Sequence, residues 1–155
     1  MSASSTLEST ISRLGLRLPP VPKPVGAYSP LVVSGGFAFL SGQISKDDRG
    51  TVLSGKVGKE LNVEEGKRAA QWAALQAVSL IQSAIGLERV EQVVRVSGFV
   101  QSAGDFYGQS EVMNAASELL AGIFGDSGRH ARSAIGVASL PLNAAVELEV
   151  TLKLR

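Results

Sequence analysis

The clearest alternation of hydrophobic and polar positions in this 155-residue chain is its closing segment, VELEVTLKL. Every second residue from Val146 to Leu154 is apolar, and Glu147, Glu149 and Lys153 stand between them. A period of two predicts a strand with one buried face and one polar face. The segment before it, SLPLNAA, predicts the turn that leads into this strand.

Further strands are predicted from β-branched and aromatic runs. LVVS and FAFL flank Gly35 and Gly36, and this dipeptide can adopt the positive φ of a tight hairpin. EQVVRVSGFVQS predicts a long strand, and ARSAIGV predicts another before the final turn. The polar, glycine-rich segment after the hairpin predicts a loop, with a possible short strand over residues 51–53.

Two main helices are predicted by apolar residues at helical spacing. Asn62 is a candidate N-cap, Glu64 and Glu65 fall in the first turn, and Gly86 ends the helix. A second helix follows Asp105 and ends at Gly125. The apolar positions are Ala69, Ala73, Ala77, Leu80 and Ala84 in the first helix and Val112, Ala116, Leu119, Leu120 and Ile123 in the second.

The N-terminal segment predicts a short helix and an extended connector. Ser5 precedes Glu8 at the spacing of a capping box, and Leu7 and Ile11 lie on one helical stripe. The prolines of PPVPKP then predict an extended connector on the surface. Because the first 23 residues are too few to fold alone, we interpret residues 1–155 as one domain.

The order of these elements predicts an α+β fold. A mixed sheet of about six strands would carry both main helices on one face. A second copy of the chain would cover the opposite face, and the small residues Ala134, Gly136 and Ala138 would let that copy approach closely.

Composition narrows the classes of function. The formal net charge is +1, which gives no strong attraction to a phosphate backbone and disfavours a nucleic-acid partner. The sequence has no cysteine and one histidine, which disfavours thiolate chemistry and zinc, and we expect no metal. We expect no membrane partner and a cytoplasmic protein, because the N-terminus lacks the apolar core of a signal peptide.

Three possible sites are better explained by structural roles. GTVLSGKV places Gly50, Gly55 and Lys56 at the spacing of a phosphate-binding loop, but it lacks the hydroxyl residue and the flanking strand and helix. His130 has no evident nucleophile to serve, and we interpret it as a solvated residue at a strand entrance. Trp72 is interpreted as helix core.

Arg132 is the strongest candidate for a binding residue. Its strand neighbours on the same face, Ala134 and Gly136, leave space beside the guanidinium, which could bind the carboxylate of a small metabolite. A structural ion pair or a snorkelling arginine is the alternative interpretation. Glu147 and Glu149 share the polar face of the last strand, where a carboxylate could position water or simply be solvated.

Several segments, in the same order, resemble those of the YjgF/RidA family, also called the L-PSP endoribonuclease-like family. They are PVGAYSP, FLSGQIS, EVMNAASELLAGIFG and, most strongly, ARSAIGVASLPLNAAVELEV. The resemblance covers residues 24–155, whereas residues 1–23 lie outside the usual core and indicate a longer, less characterised branch.

This resemblance implies a chorismate-mutase-like fold, a homotrimer and ligand sites between subunits. It implies an imine or enamine deaminase, without a cofactor, that hydrolyses small 2-aminoacrylate or 2-imino acids. Arg132 matches the arginine that binds the substrate carboxylate, and Glu147 matches the glutamate associated with the hydrolytic water. Tyr28, Ser41 and Asn114 match further cleft residues, and Ala134 stands where well-known members often carry cysteine.

Two alternatives remain open on the sequence. One is a non-catalytic trimer that binds small carboxylates in the same clefts. The other, less favoured by charge and aromatic content, is an endoribonuclease acting on single-stranded RNA.

Overall fold

The computed structural model describes residues 2–155 and contains three α-helices and a six-stranded sheet. Helix α1 spans Ala3–Arg13, α2 spans Val63–Ala84 and α3 spans Gln109–Phe124; strands β1 to β6 span Leu31–Ser34, Phe37–Leu40, Gln43–Ile44, Val90–Gln101, Ala131–Val137 and Val146–Leu154. The strand order is β1-β2-β6-β4-β5, and β3 pairs with β6 beside this path. The β4–β5 pair is parallel and the other pairs are antiparallel, so the sheet is mixed as predicted.

The N-cap of helix α1 lies three residues earlier than predicted. The Ser2 hydroxyl accepts a hydrogen bond from the Ser5 amide at 3.1 Å, so Ser2 rather than Ser5 is the N-cap. Ser5 lies inside the first turn and donates its hydroxyl proton to the Ser2 carbonyl. The buried Leu7 and Thr10 pack α1 against α3, and the connector that follows forms neither helix nor strand.

The predicted cap of α2 is confirmed. The Asn62 side chain accepts from the Glu65 amide at 2.9 Å, and the Glu65 carboxylate accepts from the Asn62 amide at 2.7 Å. Helix α3 begins at Gln109, later than the Asp105 boundary predicts, and no side chain caps it. The turn ahead of α3 is held by the Gln109 side chain, which donates to the Phe106 carbonyl.

The sheet has one covered face and one open face. Alternate residues of β6, beginning with Val146, are buried together with apolar residues of α2 and α3. On the other face Val32, Phe39 and Ile135 are each about half exposed, at 50%, 47% and 49%. An apolar sheet face of this kind is typical of a surface that another protein covers.

Two connections differ from simple expectations. The segment 51–53 is not a strand, because only Val52 forms an isolated bridge, to Lys46. The predicted turn before β6 contains a short 3₁₀ segment in which Leu142 and Asn143 both have φ of 57°. The buried Gln101 holds this strained turn, since its amide accepts from the Leu140 N–H at 2.8 Å and donates to the Asn143 side chain at 2.8 Å.

Candidate functional site

Arg132 lies on the covered face of β5, where its side chain reaches α3. Its register partner on β4 is the core residue Val96. One terminal nitrogen donates to Asn114 Oδ1 at 3.0 Å and to Ser117 Oγ at 3.1 Å. The other donates to the hydroxyl of Ser110 at 2.9 Å and to its carbonyl at 3.3 Å. The guanidinium is thus fixed along one side of α3.

All these partners are neutral, which leaves the charge of Arg132 uncompensated. Arg132 forms no ion pair within residues 2–155, and its Nε–H has no hydrogen-bond partner there. The side chain is only partly exposed. A structural ion pair is therefore not present within these described residues, and an anion is the natural missing partner.

His130 is a hydrogen-bonded, half-buried residue, not a solvated one as the sequence suggested. Its Nε2 lies 2.9 Å from Ser117 Oγ, and its Nδ1 lies 2.7 Å from the Gly128 carbonyl oxygen. Burial lowers the pKa of His130 below its ordinary value, and the charge of Arg132 lowers it further, whereas the Gly128 carbonyl opposes these effects. Ser117 therefore joins His130 to Arg132, a contact that the sequence alone did not indicate.

Glu147 lies on the open face of β6, between Phe99 of β4 and Ile44 of β3. Burial raises the pKa of the Glu147 carboxyl, and the nearby Glu149 carboxylate raises it further. The main chain of Gly42 lies directly against this carboxylate, since a Cβ built at Gly42 would be 2.0 Å from Glu147 Oε1. A carboxylate with a raised pKa is a better proton acceptor while still ionised at neutral pH.

A pocket of about 400 Å³ opens beside Glu147. Tyr28, Ser41 and Gly42 line it, together with Pro22–Val25 of the connector and Leu142 of the strained turn. The connector was predicted only as a surface link, and its role as a pocket wall was not foreseen, because proline spacing does not report long-range packing. Gln76 also lines the pocket, and its buried Oε1 has no hydrogen-bond partner within residues 2–155.

The predicted site residues form two groups. Tyr28 and Ser41 lie with Glu147, whereas Asn114 lies with Arg132, and Ala134 follows Arg132 on the same face of β5 and packs against the core. The two groups do not meet within one chain, because Arg132 points to the covered face of the sheet and Glu147 to the open face. The sequence did not reveal this separation, which depends on the register of β5 and β6 against β4.

The remaining candidates take structural roles. The segment from Gly50 to Lys56 is a loop with isolated bridges, and α2 begins only at residue 63, so the geometry of a phosphate-binding loop is missing. Trp72 of α2 is 7% exposed and belongs to the hydrophobic core, as predicted. Residues 2–155 contain no group of three or more His, Asp or Glu placed to hold a metal ion. Within the same residues, no helix combines the length and apolar character needed to cross a membrane.

Comparison with known proteins identifies the family. Residues 8–152 match the sequence model of the family described as "YjgF/chorismate mutase-like, putative endoribonuclease". The chain belongs to this family. It is 44% identical over 154 residues to protein TCP17 of Trypanosoma cruzi, a match that covers 98% of this chain and 96% of the relative.

Two other similar proteins add to this result. A protein of Dermatophagoides farinae named 2-iminobutanoate/2-iminopropanoate deaminase is 32% identical over 132 residues, covering 84% of this chain and 88% of the relative. The crystal structure of Atu1372 from Agrobacterium tumefaciens, a protein of unknown function, is 34% identical with a TM-score of 0.90. That match covers 99% of this chain and 96% of the other, so it includes helix α1. The family model itself begins at residue 8, within that helix, and not at residue 24 as the resemblance suggested.

Proposed function

We propose that this protein hydrolyses small 2-imino acids and their enamine tautomers in clefts formed between two copies of the chain. Arg132 of one copy binds the substrate carboxylate, and Glu147 of the next copy places the attacking water. The single observation that carries this proposal is that the Arg132 guanidinium is held in place by neutral partners alone, with no ion pair within residues 2–155. The half-buried Glu147 carboxyl, whose pKa is raised, supports the second role. The name of the Dermatophagoides farinae relative supports the reaction class.

The need for two copies follows from the fold. Because Arg132 and Glu147 point to opposite faces of one sheet, one chain cannot present both to a three-carbon substrate. Glu147 and Tyr28 would contribute one wall of the cleft, and Arg132 with Asn114 would contribute the other. The half-exposed apolar residues of the open face support assembly through that face. We propose a homotrimer, in which each copy serves two clefts.

The reaction needs placement more than a strong nucleophile. The imine carbon is already electrophilic. The positive charge of Arg132 and its Nε–H, which has no other partner within residues 2–155, would hold the carboxylate at a fixed position. Glu147 accepts a proton from water while the water oxygen bonds to the carbon of the protonated imine, giving a neutral carbinolamine. Glu147 then returns that proton to nitrogen, and as the C–N bond breaks the hydroxyl group loses its proton to Glu147 and becomes the carbonyl. Ammonia and the 2-oxo acid are released, and Glu147 passes its proton to solvent. No cofactor is required by this proposal.

Ammonia release from freshly generated 2-iminopropanoate tests the proposal. We expect wild-type protein to accelerate release and Arg132→Ala to lose most of it, mainly through a higher KM, because the carboxylate anchor is gone. Arg68→Ala, which removes an exposed arginine on α2, is the matched control and should keep wild-type turnover. Equal turnover by Arg132→Ala and the control would contradict the assigned anchor.

Binding without turnover would support the regulatory alternative. In that case pyruvate, a stable 2-oxo acid, would bind in an Arg132-dependent way, while no imine would be hydrolysed faster than in buffer. Sedimentation of the same samples reports the number of copies in the assembly. A monomer that turns over imines would contradict the two-copy cleft.

A further inference from the structure

The hydrogen bonds around His130 fix both its tautomer and the direction of the Ser117 hydroxyl. A carbonyl oxygen only accepts, so the 2.7 Å contact with Gly128 requires the proton on Nδ1. Neutral imidazole carries one N–H, so Nε2 accepts the Ser117 hydroxyl proton at 2.9 Å. The Ser117 oxygen in turn accepts from Arg132 at 3.1 Å. The imidazole and the guanidinium thus share one hydroxyl group.

The support for His130 is rigid. A Cβ built at Gly128 would lie 2.4 Å from the Leu120 carbonyl oxygen, so the Gly128 main chain packs directly on the main chain of α3. This contact holds the Gly128 carbonyl against Nδ1. The Gly128 carbonyl accepts from Nδ1–H in both protonation states of the imidazole and favours the charged one.

Charged groups surround this unit on every neighbouring element. Glu118 of α3 and Arg129 line the same shallow depression as Ser117, His130 and Arg132. Asp126 in the 3₁₀ turn Gly125–Gly128 pairs with Arg129 at 3.5 Å, at the exposed surface. Arg95 of the adjacent β4 donates to Ser133, whose side chain points to the opposite face of the sheet from Arg132. Arg132 is therefore the cation most directly linked to His130.

We propose that Ser117 and His130 are further members of the anion site of Arg132. When a carboxylate binds the guanidinium, His130 takes up one proton from solvent, and the Ser117 hydroxyl turns from the imidazole to the carboxylate. This inference rests on the proposed function only in its use of Arg132 as the carboxylate anchor.

Every hydrogen bond in the switched state has a donor and an acceptor. Protonated Nε2–H donates to one lone pair of the Ser117 oxygen, and Arg132 donates to the other. The Ser117 O–H is then free to donate to the bound carboxylate. The carboxylate also offsets the repulsion between Arg132 and the imidazolium, which is one of the causes that keep His130 neutral without ligand.

The proton uptake makes carboxylate affinity depend on pH with a defined sign. Because the bound anion raises the pKa of His130, carboxylate affinity increases as pH falls through that pKa. By thermodynamic linkage, protonation of His130 strengthens carboxylate binding by the same free energy with which the carboxylate stabilises the protonated imidazole. Glu147 also titrates, so affinity is measured in Glu147→Gln protein, in which that carboxyl is absent. Pyruvate affinity in this background should increase at least about fivefold from pH 8 to pH 5.

NMR titration of the imidazole tests the inference directly, because His130 is the sole histidine of the sequence. We expect the Nδ1–H tautomer in free protein, and a higher pKa of His130 when pyruvate saturates the site. Arg132→Leu should abolish the effect of pyruvate and raise the pKa of ligand-free His130. Ser117→Ala should weaken pyruvate binding about tenfold through the lost hydroxyl donor. Ser83→Ala, an exposed helical serine, is its matched control.

The outcomes separate this inference from the proposed reaction. Pyruvate binding with an unchanged or lowered pKa of His130 would overturn the inference and leave the deaminase proposal standing. A raised pKa without imine turnover would support the anion site and contradict the deaminase. If pyruvate causes no change that depends on Arg132, both the anchor and the inference are wrong.

Discussion

Replacing Gly42 by alanine should displace the Glu147 carboxylate while leaving the fold intact. The new Cβ would lie 2.0 Å from Glu147 Oε1, whereas real Cβ contacts stay beyond 3.0 Å. The carboxylate oxygen must therefore move by about 1 Å, and a displacement of this size in a catalytic group costs about 10²-fold in rate. That loss corresponds to about 2.7 kcal/mol of transition-state free energy. Gly42 lies outside the left-handed region of φ, so alanine itself causes no backbone strain.

The assay is ammonia release from 2-iminopropanoate at saturating substrate, so that kcat is read separately from KM. Gly104→Ala is the matched control, because Gly104 has no heavy atom within 4 Å of a built Cβ and also lies outside the left-handed region. We expect kcat to fall in Gly42→Ala, with KM and the thermal midpoint near those of the control. A wild-type kcat in Gly42→Ala would refute a role for Glu147 that depends on its position.

Four further predictions concern pH and stability. The kcat should fall as pH decreases through the raised pKa of Glu147, because a proton acceptor must be ionised; a profile that Glu147→Gln leaves unchanged would exclude this assignment. A raised pKa also means that ionised Glu147 destabilises the folded state above that pKa, so Glu147→Gln should raise the thermal midpoint at pH 7 even as it removes activity. Gln101→Leu should lower the free energy of unfolding by about 1–3 kcal/mol, since it leaves the Leu140 amide and the Asn143 side chain without partners; urea unfolding at fixed protein concentration measures this. Asn62→Ala should cost about 1 kcal/mol through loss of the α2 cap, and no change in the same assay would contradict it.

Local patterns predicted the regular elements because each depends on nearby residues. The alternation of β6, the Gly35-Gly36 hairpin and the Asn62 cap all act within a few positions of the chain, and the structure confirms them. The prediction of Ser5 as the N-cap of α1 was wrong, because Ser2 offers the same hydroxyl group three residues earlier. The loop predicted after the hairpin is confirmed, and the possible short strand over residues 51–53 is reduced to a single bridge at Val52.

The sequence indicated candidate site residues but not how they are arranged. Arg132 and Glu147 stand out by chemistry and by family resemblance, but their opposite orientations depend on strand register, which joins residues far apart in sequence. The contact between Ser117 and His130 likewise arises only when α3 packs on β5. Side-chain type therefore indicated the chemistry, whereas long-range pairing determined which groups meet.

Subunit complementation tests the two-copy cleft most directly. Arg132→Ala and Glu147→Gln proteins, each inactive alone, are unfolded together, refolded as a mixture and assayed for ammonia release. Each cleft takes Arg132 from one copy and Glu147 from the next in this account. When the two variants mix at random in equal amounts in a closed ring, about one quarter of the clefts receive both intact residues, so the mixture should show about one quarter of wild-type activity. No activity in a mixture shown to contain mixed assemblies would contradict a site shared between subunits.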